Sequence, residues 1–166
     1  MSASDIEKIL CPLDLSPHSQ VVADYTAKMA RQLRSEVIIL YVAPEFTEFV
    51  HFYVSPVPIR KPAGKDDKVP ASGEEHHNSL IDEARTVLDK LIADNFAGIK
   101  TIGLLVKGSV VEEIIAAANE QNVDLIIMGT QGRTGLERIL LGSVAEQVIK
   151  IAPVPVMTIR PQPQGA

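Results

Sequence analysis

The sequence predicts a single α/β domain built on a parallel sheet, and three observations carry that reading. Apolar strand-like runs alternate with amphipathic helix-like segments over the whole chain. Two of those runs, EVIILYV (36–42) and VDLIIM (123–128), are nearly unbroken in apolar residues, as expected of strands covered on both faces. Parallel neighbours require crossovers, and the intervening helical segments supply them in the right-handed sense. A length of 166 residues suits one hydrophobic core, and no internal repeat or linker divides it.

Taken in order, residues 6–13 read as a short buried strand. Ser16 and Pro17 then offer an N-cap and a first-turn proline for a helix running to about Arg34. EVIILYV is the second strand. From Pro44 to about Gly73 no period persists, and prolines at 56, 58, 62 and 70 mark a long insertion. Helical spacing returns from Glu74 to about Asn95 through Leu80, Ala84, Val87, Leu88 and Leu91, and Ile99 to Val106 makes a third strand. Ser109 with Glu112 forms a capping box before a helix to about Gln121. Val123 to Met128 is the fourth strand, Ser143 with Glu146 repeats the capping pattern before a helix to about Ile151, and VPVMTI (154–159) is the fifth strand. Residues 161–166 read as a disordered tail, so the expected domain is 1–160 with its insertion at 44–73.

Composition removes several function classes. Sixteen basic against twenty-one acidic residues leave a formal charge of −5, which disfavours a nucleic-acid backbone as partner. Cys11 is the sole cysteine, so an intrachain disulfide and a multi-cysteine zinc site are excluded, and a cytoplasmic location is expected. No apolar run reaches the ~18 residues of a membrane span, and the amino-terminal stretch lacks the pattern of a secretory signal. Cys11 lies inside a strand and reads as an inert core thiol. His76 and His77 are helical neighbours pointing about 100° apart, with no further ligand at metal spacing, and read as solvated residues at a helix start.

Chemistry concentrates at GTQGRTGLERILLGSV (129–144), which holds four of the ten glycines and follows the fourth strand directly. Ligands of open parallel sheets gather beyond the carboxyl ends of strands, where the strand order reverses. Glycine lets backbone approach a phosphate, and a helix opening at Gly142 and Ser143 would present free amides to an anion. Neither G-x-x-x-x-G-K-[ST] nor G-x-G-x-x-G occurs; the spacing is G-x2-G-x9-G-[ST], on Gly129, Gly132, Gly142 and Ser143.

With DLIIMG before it and APVPVMTI after it, and with KILCPLDLSPHS near the amino terminus, this spacing resembles the ATP-binding branch of the universal stress protein family. The resemblance runs from about Ile6 to Ile159. It implies one three-layer domain of the adenine nucleotide alpha hydrolase-like kind, with a five-stranded parallel sheet in the order 3-2-1-4-5. It implies ATP between the ends of the first and fourth strands, with Gly129, Gly132, Gly142, Ser143 and Val144 at phosphates and ribose. By the same likeness Val42 meets adenine, Pro12 and Leu13 line the pocket, and Arg133 and Met128 flank the motif. Asp14 matches an acidic position near ribose or a magnesium or manganese ion carried on the phosphates. Leu15 departs from the pattern, standing where the family often has glycine.

The same residues have plainer readings. Gly129 and Gly132 could serve a tight turn, Ser143 a helix cap, and Asp14 the turn that opens the first helix. The aromatic cluster FTEFVHFY (46–53) either pins its own loop or meets a protein partner. In the implied strand order the apolar fifth strand lies at an edge, and the resemblance implies a homodimer pairing two such strands. The expected function is a nucleotide-dependent regulatory or stress-response dimer. At most slow hydrolysis is expected, because no catalytic base or Walker lysine stands beside the glycines. The alternative is a nucleotide-independent interaction module using the aromatic insertion.

Overall fold

A computed structural model describes residues 6–43, 73–130 and 142–160. The elements, in chain order, are β1 (Lys8–Pro12), α1 (Ser19–Leu33), β2 (Glu36–Ala43), α2 (Gly73–Asn95), β3 (Thr101–Lys107), α3 (Val110–Glu120), β4 (Leu125–Gly129), α4 (Ser143–Ile151) and β5 (Val156–Ile159). All pairings are parallel, in the order β3-β2-β1-β4-β5. Fold class and strand order are those expected, with strand boundaries moved by one or two residues. The insertion, with its aromatic cluster, and the tail lie outside the described residues.

Alternation along the strands explains the layers. Val37, Ile39 and Tyr41 of β2 face one core, together with Ile9 and Cys11 of β1 and Leu125 and Ile127 of β4. That face is covered by Val22, Ala23, Ala27 and Ala30 of α1 and Leu88 of α2. Ile38, Leu40, Val42, Leu10, Ile126 and Met128 point the other way, against Ile114, Ala117 and Ala118 of α3 and Ala145 and Val148 of α4. A strand buried on both faces cannot show a polar alternation, which is why these runs are almost wholly apolar.

Local details differ from expectation at the helix starts. Ser16 and Pro17 do not open α1: its N-cap is His18, and Ser16 instead accepts a bond from the Ser19 amide in a preceding turn (2.9 Å). Asp14 is the reason, since its Oδ1 accepts from both the Ser16 amide (3.0 Å) and the Ser19 hydroxyl (2.9 Å) and holds the chain in that turn. Leu15 sits between them at φ 57°, the left-handed region that glycine fills most readily. Its side chain packs against the first core, which offsets that backbone cost. Ser109 is the N-cap of α3, but its hydroxyl makes no capping bond, so the expected box is not closed. Ser143 is the first residue inside α4 and not its cap, a place taken by Gly142.

Cys11 is fully buried, and desolvation pushes its thiol up to about 12 despite contact with the Thr26 hydroxyl at 3.3 Å. A thiol that far from ionising is a small apolar filler, as its place inside a strand predicted.

Candidate functional site

The crevice begins with a proline. Along β1, odd residues face β2: the Glu7 carbonyl accepts from the Glu36 amide, and the Leu13 amide donates to the Leu40 carbonyl (2.9 Å). Even residues face β4, as the Lys8 carbonyl does in accepting from the Asp124 amide (2.9 Å). Pro12 therefore stands where an N–H toward β4 would be needed and has none. Pairing of β1 with β2 continues to Pro12↔Leu40, whereas pairing with β4 stops at Leu10↔Ile126. The carboxyl halves of β1 and β4 are left unladdered at the point where the strand order reverses, the usual place for a ligand in such sheets.

Backbone just past β4 is tied to the start of α4 at this end of the sheet. Thr130, just past β4, is pinned by its amide to the Ile159 carbonyl (2.9 Å), and its own carbonyl accepts from the Gly142 amide (2.8 Å). This second bond draws the start of α4 against the end of β4. The approach is so close that a Cβ on Gly142 would lie 2.7 Å from the Thr130 oxygen, so only glycine fits. Gly142 has an ordinary φ of −57°, so its need is for space and not for an unusual conformation.

The Gly142 amide is consequently not available to a ligand, contrary to the simplest expectation for a helix-opening glycine. The Glu146 amide bonds the Gly142 carbonyl, as the first closed turn of α4 (2.9 Å). The amides of Ser143, Val144 and Ala145 precede that turn and have no intrahelical acceptor, and among the described residues no side chain caps them. They form the positive end of a nine-residue helix. Thr130 adds a signal the sequence reading missed. It is 9% exposed, yet among the described residues its hydroxyl has no hydrogen-bond partner, and neither does the buried Ser16 hydroxyl in the turn after β1. Buried hydroxyls without a partner are uncommon, and each marks a place where a further group can bind. A hydroxyl directly after a strand-ending glycine was the clue available for Thr130.

The other expected residues fall as follows. Leu13, Val42 and Met128 are buried at the carboxyl ends of β1, β2 and β4, and Gly129 closes β4 opposite Ile159. Val144 packs its side chain against the second core, so any role in binding belongs to its backbone. Asp14 commits Oδ1 to the turn described above, the plainer of its two readings. Gly132 and Arg133 lie outside the described residues. Among the described residues no group of three His, Cys, Asp or Glu is placed to hold a metal, and no helix is long and apolar enough to cross a membrane.

A match to the universal stress protein family covers residues 5–160. One universal stress protein of Methanocaldococcus jannaschii is 36% identical over 158 residues, spanning 93% of this chain and 82% of that protein. A second from the same organism is 32% identical over 155 residues, 93% of this chain and 94% of that one. The solved structure of this second protein superposes with a TM-score of 0.74 at 29% identity, covering 96% of this chain and 99% of that chain. At the level of fold alone, an Archaeoglobus fulgidus universal stress protein solved in complex with dAMP matches with a TM-score of 0.61 at 20% identity, over 92% of this chain and 97% of that one. Matched over nearly its entire length, and at more than 30% identity to two members, the chain belongs to the universal stress protein family.

Proposed function

We propose that the protein binds ATP in the crevice between β1 and β4 and acts as a nucleotide-dependent regulatory homodimer, with hydrolysis slow if it occurs. The observation that carries this reading is the joint at Gly142, which holds the start of α4, with the amides that precede its first closed turn, against the end of β4 beside a Thr130 hydroxyl that has no partner among the described residues. Polyphosphate is the ligand chemistry such a cluster suits, since each amide gives a charge-assisted bond and the helix pole adds to it. Adenine as the base is supported by relatives solved with dAMP and with cAMP.

Roles follow from position. The amides of Ser143, Val144 and Ala145 and the Thr130 hydroxyl take the phosphates, and Gly129 admits them close to the backbone. Val42 offers main chain to adenine, with Pro12, Leu13 and Met128 as apolar walls. Gly132 and Arg133 close the phosphate side by family resemblance. The donor set fits a magnesium or manganese ion carried on the phosphates, because such ions bind through one or two carboxylates with waters and phosphate oxygens. Asp14 is the carboxylate that would hold it, and the ion would neutralise phosphate charge. Mass spectrometry of small molecules released on denaturing the purified protein should find an adenine nucleotide. Absence of any nucleotide, together with no heat on titrating ATP, would remove the proposal.

The dimer is proposed through β5, an edge strand whose outer side has no neighbour in the sheet among the described residues. The carbonyls of Pro155 and Ile159 face β4, so the backbone of Val156 and Thr158 faces outward. Thr158→Pro therefore deletes an outward N–H and leaves the β4–β5 ladder intact. The variant is expected to fold with an unchanged far-UV spectrum and to sediment as a monomer where the parent sediments as a dimer. An unaltered dimer would place the interface elsewhere.

A further inference from the structure

We propose a second ligand site, for a small polyanion bearing at least two carboxylate or phosphate groups, at the amino edge of the sheet, the end opposite the proposed nucleotide crevice and independent of it. A cleft of about 710 Å³ opens there between the end of α1, the start of β1 and the turn before β3. Its charged lining is Lys8, Arg31, Arg34 and Lys100 against Glu7 and Glu36, a net excess of two positive charges in a chain that is negative as a whole. The volume lies in the range of small-molecule pockets.

Most of these charges are answered within the chain. Glu36 pairs with Lys8 (3.3 Å) and with Lys100, and chiefly the Lys100 bond holds its carboxyl below the usual range. Lys8 also donates to the Gln121 carbonyl (3.2 Å), and two lysines sharing one carboxylate leave one positive charge. Arg31 donates to the Asn95 carbonyl (3.0 Å), closing the end of α2. Arg34 is different: among the described residues its guanidinium has no hydrogen-bond or ion-pair partner, and the side chain is exposed at the cleft.

The backbone at Arg34 strengthens the case. It is the C-cap of α1 at φ 60°, ψ 32°, with its amide bonded to the Ala30 carbonyl. Glycine is the favoured residue at such a left-handed helix end, and an arginine there carries a backbone cost. The field of the helix end accounts for a positive charge nearby, but it is weak and screened at an exposed guanidinium. A guanidinium without a partner among the described residues, held at the cleft by this backbone, is a free donor for an anionic ligand. Two positive centres line the cleft, Arg34 and the Lys8–Lys100 pair around Glu36, and suit a ligand with two anionic groups, since arginine and lysine take carboxylate and phosphate alike.

The test is a titration of the full-length, nitrogen-15-labelled protein with sodium pyrophosphate and, separately, with citrate, read residue by residue from amide shifts. Saturable shifts at Ser35, Glu36, Gly98 and Lys100 are expected with at least one of them. Which anion acts distinguishes a phosphate ligand from a carboxylate one. R34G should weaken that binding by about tenfold while holding or raising the thermal midpoint, because a charge-assisted contact is lost as the backbone relaxes. E36Q should tighten it by removing the opposing carboxylate. The proposal is overturned by no shift with either anion, by shifts confined to Gly129, Thr130 and Ser143 to Ala145, by equal affinity in R34G, or by a lowered midpoint in R34G.

Discussion

Gly142→Ala is expected to lower affinity for ATP by about two orders of magnitude, the loss of one to two charge-assisted contacts. The added methyl carbon would stand 2.7 Å from the Thr130 carbonyl oxygen, far inside contact distance. Thr130 cannot yield, because its amide is tied to Ile159 in the β4–β5 ladder. The start of α4 must withdraw instead, breaking the Gly142–Thr130 bond and carrying the amides of Ser143, Val144 and Ala145 away from the crevice. A stability loss of about 1–3 kcal/mol should accompany this, the usual cost of overpacking. Ser143→Ala is the matched control: its hydroxyl caps nothing and its amide stays in place, so affinity should remain within about threefold of the parent, less than one neutral hydrogen bond. Calorimetric titration of both variants decides the matter. Equal binding by Gly142→Ala would show that the α4 amides do not carry the ligand, and a large loss in Ser143→Ala would shift the weight from backbone to side chain.

Leu10→Ala is expected to destabilise the fold by about 3–5 kcal/mol, a large share of the ~5–15 kcal/mol available to a domain. Leu10 is wholly buried on the central strand, paired with Ile38 on one side and Ile126 on the other. It belongs to the core closed by Ile114, Ala117 and Val148. Helices from two later parts of the chain close that core, so the space Leu10 vacates collapses only if they shift. Val87→Ala, on the outer side of α2 and 43% exposed, should change stability by no more than about 0.5 kcal/mol. Urea unfolding of the two variants, monitored by circular dichroism, gives the comparison. Similar midpoints would mean that the two cores do not hold the sheet in the way their burial implies.

The fold was legible because its strands are buried on both faces. Burial on both sides compels runs such as VIILYV and LIIM, and the helices between them compel parallel pairing, so composition and period were enough for the class. Strand order was less accessible, since any buried strand suits any interior place in a sheet; it came from the resemblance carried by the glycine spacing. Helix starts were read less well. At Ser16, Ser109 and Ser143 the local pattern named a capping hydroxyl, and in each case another contact took the role or left it vacant. Capping bonds are weak enough for tertiary packing to override.

The chain by itself determined a parallel α/β domain and its family, and pointed to the fourth strand's end as the proposed site, because burial and glycine spacing are written residue by residue. Tertiary structure alone decided which backbone groups remain free there. It spent the Gly142 amide on Thr130, left the Thr130 hydroxyl without a partner among the described residues, and parted β1 from β4 at Pro12. It also brought Lys8, Arg34 and Lys100 to one cleft from three separate stretches of chain. Hydrogen bonds and charges between distant segments depend on which carbonyl or carboxylate the fold brings within 3 Å or so, and no local pattern of residues encodes that meeting.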